Sequence, residues 1–429
     1  MEITVIGGGL AGVEAAYQIS RMGGRVVLYE MRPDVKTPAH SSGLLGELVC
    51  SNSLKSMDLM NAHGLLKEEL RVLGSIVTKV ADETAIPGGK ALVVDRNRFA
   101  ARLTEIINAD PNIRVIRKEV QDIPEGCVII ASGPLTSDAL AARLKELTSS
   151  ENLFFFDAIS PIVDAESIDH DHAFYASRYG MEGSGDYLNC PLTSDEYDVF
   201  YEALIHAERV DLKDFERTSY FEGCLPVEVI AERGKKTLAF GPMKPVGLID
   251  PRTGRRPYAV LQLRKENTSG TLFNLVGFQT KMKYHEQERV FRLIPALKEA
   301  RFMRYGSIHR NTYVNAPSCL NARLQLKTNP SIFFAGQVTG VEGYMESTAM
   351  GLIAGISSFL HMQGSKIEPP RPTTCIGALI RYLTTENEHF QPMNINFGIV
   401  EDYSKKTKEA TCQRSLADIR EWGKDTFPV

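Results

Sequence analysis

An α/β fold, with one parallel sheet fed from both ends of the chain and an α+β unit inserted between them, is predicted by three observations. Residues 2–30 read as strand, glycine turn, helix and strand. A second apolar strand runs into an Ala-Ser-Gly turn at 128–135, and a third, at 331–355, runs through a glycine-rich turn into a helix. Between the second and third lies a stretch of shorter, alternating strands.

The first unit justifies itself position by position. ITVIG is a short β-branched run of the kind a buried parallel strand shows. It enters Gly7-x-Gly9-x-x-Gly12, and an apolar helical pattern continues through Ala16 and Ile19 to Met22. RVVLYE is a second buried strand ending in Glu30, 18 residues after Gly12. Gly7 permits the tight turn, Gly9 lets backbone approach a pyrophosphate, and Gly12 lets helix and strand pack closely. The helix N-terminus offers unpaired N–H groups to phosphates, and Glu30 can accept from ribose hydroxyls. The same unit serves NAD and FAD; the segments at 128–135 and 331–355 point to FAD. The prediction is therefore a Rossmann-like FAD-binding domain. Its candidate cofactor-binding residues are Gly7, Gly8, Gly9, Leu10, Ala11, Gly12 and Glu30, then Gly133, then Gly336, Gln337 and Gly351. Gly351 and Gly355 inside a helix suggest close backbone approach to a ligand or another element, since each costs about 1 kcal/mol relative to alanine.

The expected boundaries are 1–150 and 325–400 for the FAD-binding domain, 151–324 for the inserted substrate or RNA-binding domain, and 401–429 for a charged tail with a peripheral helix. Strands are expected at YLNC (187–190), TLAFG (237–241), YAVLQLR (258–264) and TLFNLVGFQ (271–279), and a helix at IGALIRYLTT after the Pro/Arg-rich 368–374.

Composition narrows the class. No apolar run reaches the ~18 residues of a membrane span, and no basic, apolar leader precedes the first strand. Seven scattered cysteines give neither a disulfide framework nor metal spacing. A reduced, cytoplasmic enzyme without a metal site is expected. The net charge of −4 argues against indiscriminate coating of nucleic acid. Its distribution is uneven: residues 151–222 hold 17 acidic and 4 basic residues, whereas 233–256 hold 7 basic and 1 acidic, and 281–310 hold 8 basic and 3 acidic. Such runs are commonly solvated faces that balance in the fold, but with interleaved Phe and Tyr they also suit a polyanion partner.

Most of the cysteines, Cys127, Cys319, Cys375 and Cys412 among them, read as small buried hydrophobes. Cys190 is ambiguous, and two others differ in setting. Cys50 lies in ELVCSNSLK among Ser51, Asn52 and Ser53, and Cys224 lies in SYFEGCLPVEV between Gly223 and Pro226. A nucleophilic thiol needs a positive or hydrogen-bonding environment to become thiolate, and the basic run after residue 233 is a candidate source.

With those segments the chain resembles the folate- and FAD-dependent tRNA uracil-C5-methyltransferases over nearly all of residues 1–400. The blocks include IGGGLAG, LYEMRP, TPAH, ELVCSNSLK, SGPLTS, YLNCPLT, FEGCLPVEV, FGPMKPVGL, VGFQT, RYGSIHRNT, FFAGQVTGVEGY and FQPMNINFG. IGGG stands where the family usually has IGAG, and the last thirty residues match no block. The resemblance implies that Cys224 is the nucleophile attacking C6 of a uridine, and that Cys50 is the base that removes the C5 proton. It implies FAD as cofactor, 5,10-methylenetetrahydrofolate as carbon donor, NADPH or NADH as reductant, and tRNA as partner, with uridine 54 of the T-loop as target. Thiolate addition at C6 makes C5 nucleophilic, and the target base must be unstacked. Three alternatives stay open: the same chemistry on ribosomal RNA, a small-molecule FAD-dependent oxidoreductase, and a non-catalytic flavin-stabilised RNA-binding protein.

Overall fold

The computed structural model describes residues 2–37, 39–149, 153–178, 185–210, 225–365, 367–388 and 390–427. Its organising element is a parallel sheet of five strands. These are β1 (Glu2–Ile6), β2 (Arg25–Glu30), β6 (Ile113–Arg117), β7 (Val128–Ile130) and β16 (Ile332–Phe334), in the order β16-β7-β1-β2-β6. The strand at 332 thus joins those at 2 and 128, with Ile332 beside Val128 and Thr4 beside Val128 on the other side. Val5, Ile129 and Phe333 have no exposed surface, which is why these strands read as unbroken apolar runs.

The helices Leu10–Arg21 and Tyr344–Met362 pack together on this sheet. A Cβ on Gly351 would stand 2.3 Å from the Ala11 carbonyl oxygen, and one on Gly355 2.7 Å from that of Ala15. The glycines inside the second helix are therefore there for backbone contact with the first.

A second core lies between a six-stranded antiparallel sheet and the helices Ser194–Ile205, Val227–Glu232 and Tyr284–Phe291. The sheet takes β9 (Ile162–Asp164), β10 (Phe174–Ala176), β11 (Tyr187–Leu192), β12 (Ala259–Lys265), β13 (Leu272–Leu275) and β14 (Phe302–Arg304) in the order β10-β11-β12-β13-β9-β14. The pair β8 (Leu153–Ile159) and β15 (Ser307–Tyr313) carries the chain into and out of this part. A small sheet, β3 (Ser53–Ser56), β5 (Ala91–Val94) and β4 (Ala85–Ile86), faces it from the first part.

One expected strand is a helix. Thr237–Phe240 forms a single helical turn, with Leu238 fully buried and Phe240 80% exposed. A short apolar run fits either period, and among the described residues no strand pairs with it. At the C-terminus, the helix Lys408–Thr426 docks on the helix Ala62–Val72, burying Cys412, Ser415 and Ile419.

Candidate active site

The glycine turn after β1 is held by its neighbours and left open to a ligand. Gly7 has φ +108°, donates to the Tyr29 carbonyl at 2.8 Å, and has no room for a Cβ, which would lie 2.4 Å from the Ala131 oxygen. A Cβ on Gly12 would lie 1.8 Å from the Gly7 oxygen, so this glycine serves helix–strand packing. Around Gly9 and Gly133, by contrast, a Cβ would meet no atom within 4 Å. Gly9 also caps the helix Leu10–Arg21 without any side-chain hydrogen bond, leaving the first-turn N–H groups for an anion. An open cradle in front of an uncapped helix end fits the pyrophosphate of a dinucleotide.

Glu30 stands at the end of β2 as expected, 5% exposed, with a partner that sequence reasoning missed. Its Oε2 accepts from Gly8 N (2.9 Å) and Arg32 Nη2 (3.0 Å), and its Oε1 from Arg32 N and Nε, both at 2.9 Å. Burial alone would raise its pKa, but the bonds and charge of Arg32, with the Gly8 N–H, hold it below the usual carboxylate value. Arg32 reaches on to Glu47 at 3.1 Å. The cavity here, ≈ 140 Å³, is lined by Gly7, Gly8, Gly9, Leu10, Ala11, Glu30, Gly133, Gly336 and Gln337 among others. Gly12 and Gly351 stand behind it, against the backbone of Gly7 and of Ala11.

A second cavity, ≈ 400 Å³, adjoins the first and shares Val49, Pro134, Leu135, Gln337 and Tyr344 with it. Its walls come from both cores. Cys50, Lys55, Glu342 and Tyr344 line it from the first, Asp157, Arg264, Asn274 and His309 from strands of the insertion, and Gln279 from the loop after β13. The loop that presents Cys50 is clamped across the seam. Asn52, fully buried, donates to Lys265 O at 2.9 Å and accepts from Arg264 Nε at 2.9 Å, while Arg264 Nη2 reaches Ser51 Oγ at 3.1 Å. The polar neighbours of Cys50 thus fix the loop to the insertion. Cys50 itself is held through its backbone: N donates to Tyr344 Oη at 2.9 Å, and O accepts from Arg96 (3.2 Å) and Arg304 (3.0 Å).

The thiol of Cys50 is pushed up to about 12. Burial is the largest cause and the charges of Asp157 and Glu342 add to it, against the opposing Arg304 and Arg96. His309 is pushed down to about 4 by burial and by Arg304, and so stays neutral at ordinary pH. Cys127, Cys190, Cys319, Cys375 and Cys412 are buried, away from this chamber. Cys224 lies outside the described residues. The chain resumes at Leu225, and Val227 N donates at 2.7 Å to the carbonyl of Gln279, a chamber residue. Among the described residues no His/Cys/Asp/Glu group could hold a metal ion, and no helix is long and apolar enough to cross a membrane.

Asp157, Asn274, Tyr344 and Glu342 were not legible as site residues. Glu342 and Tyr344 sit in the GVEGY block, whereas Asp157 and Asn274 carry no local signal and are placed by strand pairing.

A dinucleotide cradle opening into a thiol-lined chamber defines a flavoprotein-type α/β enzyme fold. Comparison with known proteins narrows the class. The family model described as glucose inhibited division protein A matches residues 2–366. The proteins named methylenetetrahydrofolate–tRNA-(uracil-5-)-methyltransferase TrmFO from Sulfurihydrogenibium sp. and Pelotomaculum thermopropionicum are 53% and 57% identical to this chain. The matches cover 99% and 95% of it, and 98% and 93% of those proteins. The solved structure of Aquifex aeolicus GidA (form II crystal) superposes with a TM-score of 0.71 at 18% identity, over 98% of this chain and 73% of that one, a likeness of fold. The chain belongs to the family of methylenetetrahydrofolate–tRNA-(uracil-5-)-methyltransferases.

Proposed function

We propose that this protein methylates C5 of a uridine in tRNA, at position 54 of the T-loop, with methylenetetrahydrofolate as carbon donor, FAD as redox cofactor and NADPH or NADH as its reductant. The observation that carries the reading is the continuous cleft: a dinucleotide cradle built on Gly7–Gly9 and Gly133 runs into a larger chamber beside Cys50. The residues of this cradle would hold FAD, which in its reduced form would supply hydride chemistry for completing the methyl group. The first-turn N–H groups after Gly9 would bind its pyrophosphate, and Glu30, with Arg32 and Gly8 N–H on its oxygens, fixes the loop that receives the ribose. We assign residues 1–150 and 325–400 to this cofactor-binding part, 151–324 to the substrate part, and 401–429 to a docked tail.

In the chamber, Cys224 adds to C6 of the uridine and Cys50 handles the proton at C5. Val227, three residues after Cys224 in the sequence, donates to the carbonyl of Gln279, a chamber residue, and this supports the assignment. The target base must leave its stack to enter a space of this depth. The test is nucleoside mass spectrometry after incubation with methylenetetrahydrofolate, NADPH and tRNA, beside ribosomal RNA. 5-Methyluridine at position 54 of tRNA is expected; its appearance only in ribosomal RNA, or in neither, overturns the reading. Cys224→Ser is expected to abolish the covalent adduct with 5-fluorouridine RNA.

A further inference from the structure

The backbone of Cys50 is bonded at both ends, to Tyr344 Oη through N and to Arg96 and Arg304 through O. Its main chain is therefore held in one place on the chamber wall. Burial keeps the Cys50 sulfur protonated at neutral pH, with a pKa pushed up to about 12. A protonated thiol can take a proton only while it gives its own away. The chamber contains groups suited to receive it.

Asp157 lies within β8, directly across from His309 on β15, and both line the chamber. Glu342 lines it from the other side, just before the helix Tyr344–Met362, and is 8% exposed. Glu342 is positioned on every side: its carboxylate accepts from Gln337 Nε2, its backbone carbonyl from Asn394 Nδ2 at 2.6 Å, and its N–H donates to the Met393 carbonyl at 3.0 Å. Gln337 belongs to both cavities, so the carboxyl group is tied to the cofactor side. Burial, and then the charge of Asp157, drive Glu342 well above the ordinary carboxyl value. Beside the charge of Asp157, Glu342 is biased toward its protonated form, and the two carboxyl groups together give the chamber its capacity to take up a proton. His309 is neutral and does not compete.

We infer that Asp157 and Glu342 form the terminal proton acceptor for C5 of the substrate uridine, reached through the sulfur of Cys50. This rests on the methyltransferase reading above. In the step, the C5–H bond breaks and its electron pair becomes the second bond to the newly attached methylene carbon. The amine nitrogen of the one-carbon donor leaves with the former C–N pair. The C5 proton passes to the Cys50 sulfur as the thiol proton passes to the ionised carboxylate. Cys50 ends as it began, the pair has gained one proton, and no group is oxidised or reduced.

The test uses the full FAD-loaded chain and separates two events. Adduct formation with 5-fluorouridine RNA reports attack at C6, and tritium release from [5-³H]uridine RNA in the presence of methylenetetrahydrofolate reports loss of the C5 proton. In Asp157→Asn and Glu342→Gln, tritium release is expected to fall about 100-fold, the scale of a lost general base, while the adduct forms at the wild-type rate. Partial restoration by added formate supports the proposal further. Release within threefold of wild type in both variants, with adduct intact, overturns it. Should either variant also lose the adduct, Asp157→Glu and Glu342→Asp keep a carboxyl group and must release tritium at least tenfold faster than the amides; if they do not, the proposal is wrong. Absence of any adduct in the wild type instead removes the methyltransferase reading on which the proposal stands.

Discussion

Cys50 shows how one side chain can be exposed to a cavity and still be chemically quiet. Free cysteine has a pKa near 8.5 and alkylates through its thiolate. With its thiol at about 12, Cys50 in the ligand-free protein should react with iodoacetamide at pH 7.5 on the order of 10³-fold more slowly than free cysteine. Peptide mass spectrometry after timed alkylation measures this, and ordinary reactivity would show that the carboxylates and burial do not act on the sulfur as described. Gly351 is a second case in which one atom decides. A methyl group there would meet Ala11 O at 2.3 Å and Ala11 Cα at 2.7 Å, both backbone atoms that cannot swing aside. Gly351→Ala is expected to lower stability by about 1–3 kcal/mol, the usual cost of overpacking. It should also weaken FAD retention, because Ala11 lines the cofactor cavity. Thermal melts with and without added FAD check both effects.

Among elements, the C-terminal helix shares a buried carboxyl group with two other helices. Glu69, in the helix Ala62–Val72, accepts from the backbone N–H groups of Cys375 (2.7 Å) and Ile376 (2.9 Å), which open the helix Cys375–Thr384. It also accepts from Ser415 Oγ in the helix Lys408–Thr426. Burial raises it to about 7 in spite of these bonds. A carboxyl raised in the folded state binds a proton that the unfolded chain has already released. Stability therefore falls as pH rises from about 4.5 to about 7, by at most ~3.5 kcal/mol at about 1.4 kcal/mol per unit. Glu69→Gln should flatten that dependence in urea titrations at pH 5 and 7.5, and an unchanged slope would assign it to other groups. The tail was legible as a helix but not as a docked one, since its partner lies more than 300 residues earlier. The same distinction runs through the site. The glycine turn could be read because its spacing is local: a Cβ on Gly12 collides with Gly7, five residues before it. Asp157 could not be read, because it reaches the chamber only through the pairing of β8 with β15, 150 residues later. Thr237–Phe240 was misread because four apolar-rich residues do not fix a period.

The uneven charge of the whole molecule is largely resolved by its folding. Among the described residues, acids of the stretch 151–222 pair with the basic runs: Asp164 with Arg301 at 2.6 Å, Asp198 with Lys235 at 2.8 Å, and Glu208 with Lys283 at 2.8 Å. Within the basic runs, Glu286 holds Arg289 and Asp250 holds Arg252. Such exposed pairs contribute little to stability, but each reduces the field available to a polyanion. Lys236, Arg255 and Arg256 differ, having no carboxylate within 4 Å among the described residues. If tRNA is the partner, these three should contact its phosphates, and the paired cations should not. Each phosphate contact removed lowers the slope of log K against log salt by about 0.7–0.9. The combined Lys236→Glu, Arg255→Glu and Arg256→Glu variant should therefore lose about 2–3 units of slope in filter-binding titrations. Arg301→Ala should leave the slope unchanged, since its charge is already engaged by Asp164 and Glu166. Equal slopes for wild type and the triple variant would move the RNA to another face. A lower slope for Arg301→Ala would mean that the ion pairs open when RNA binds.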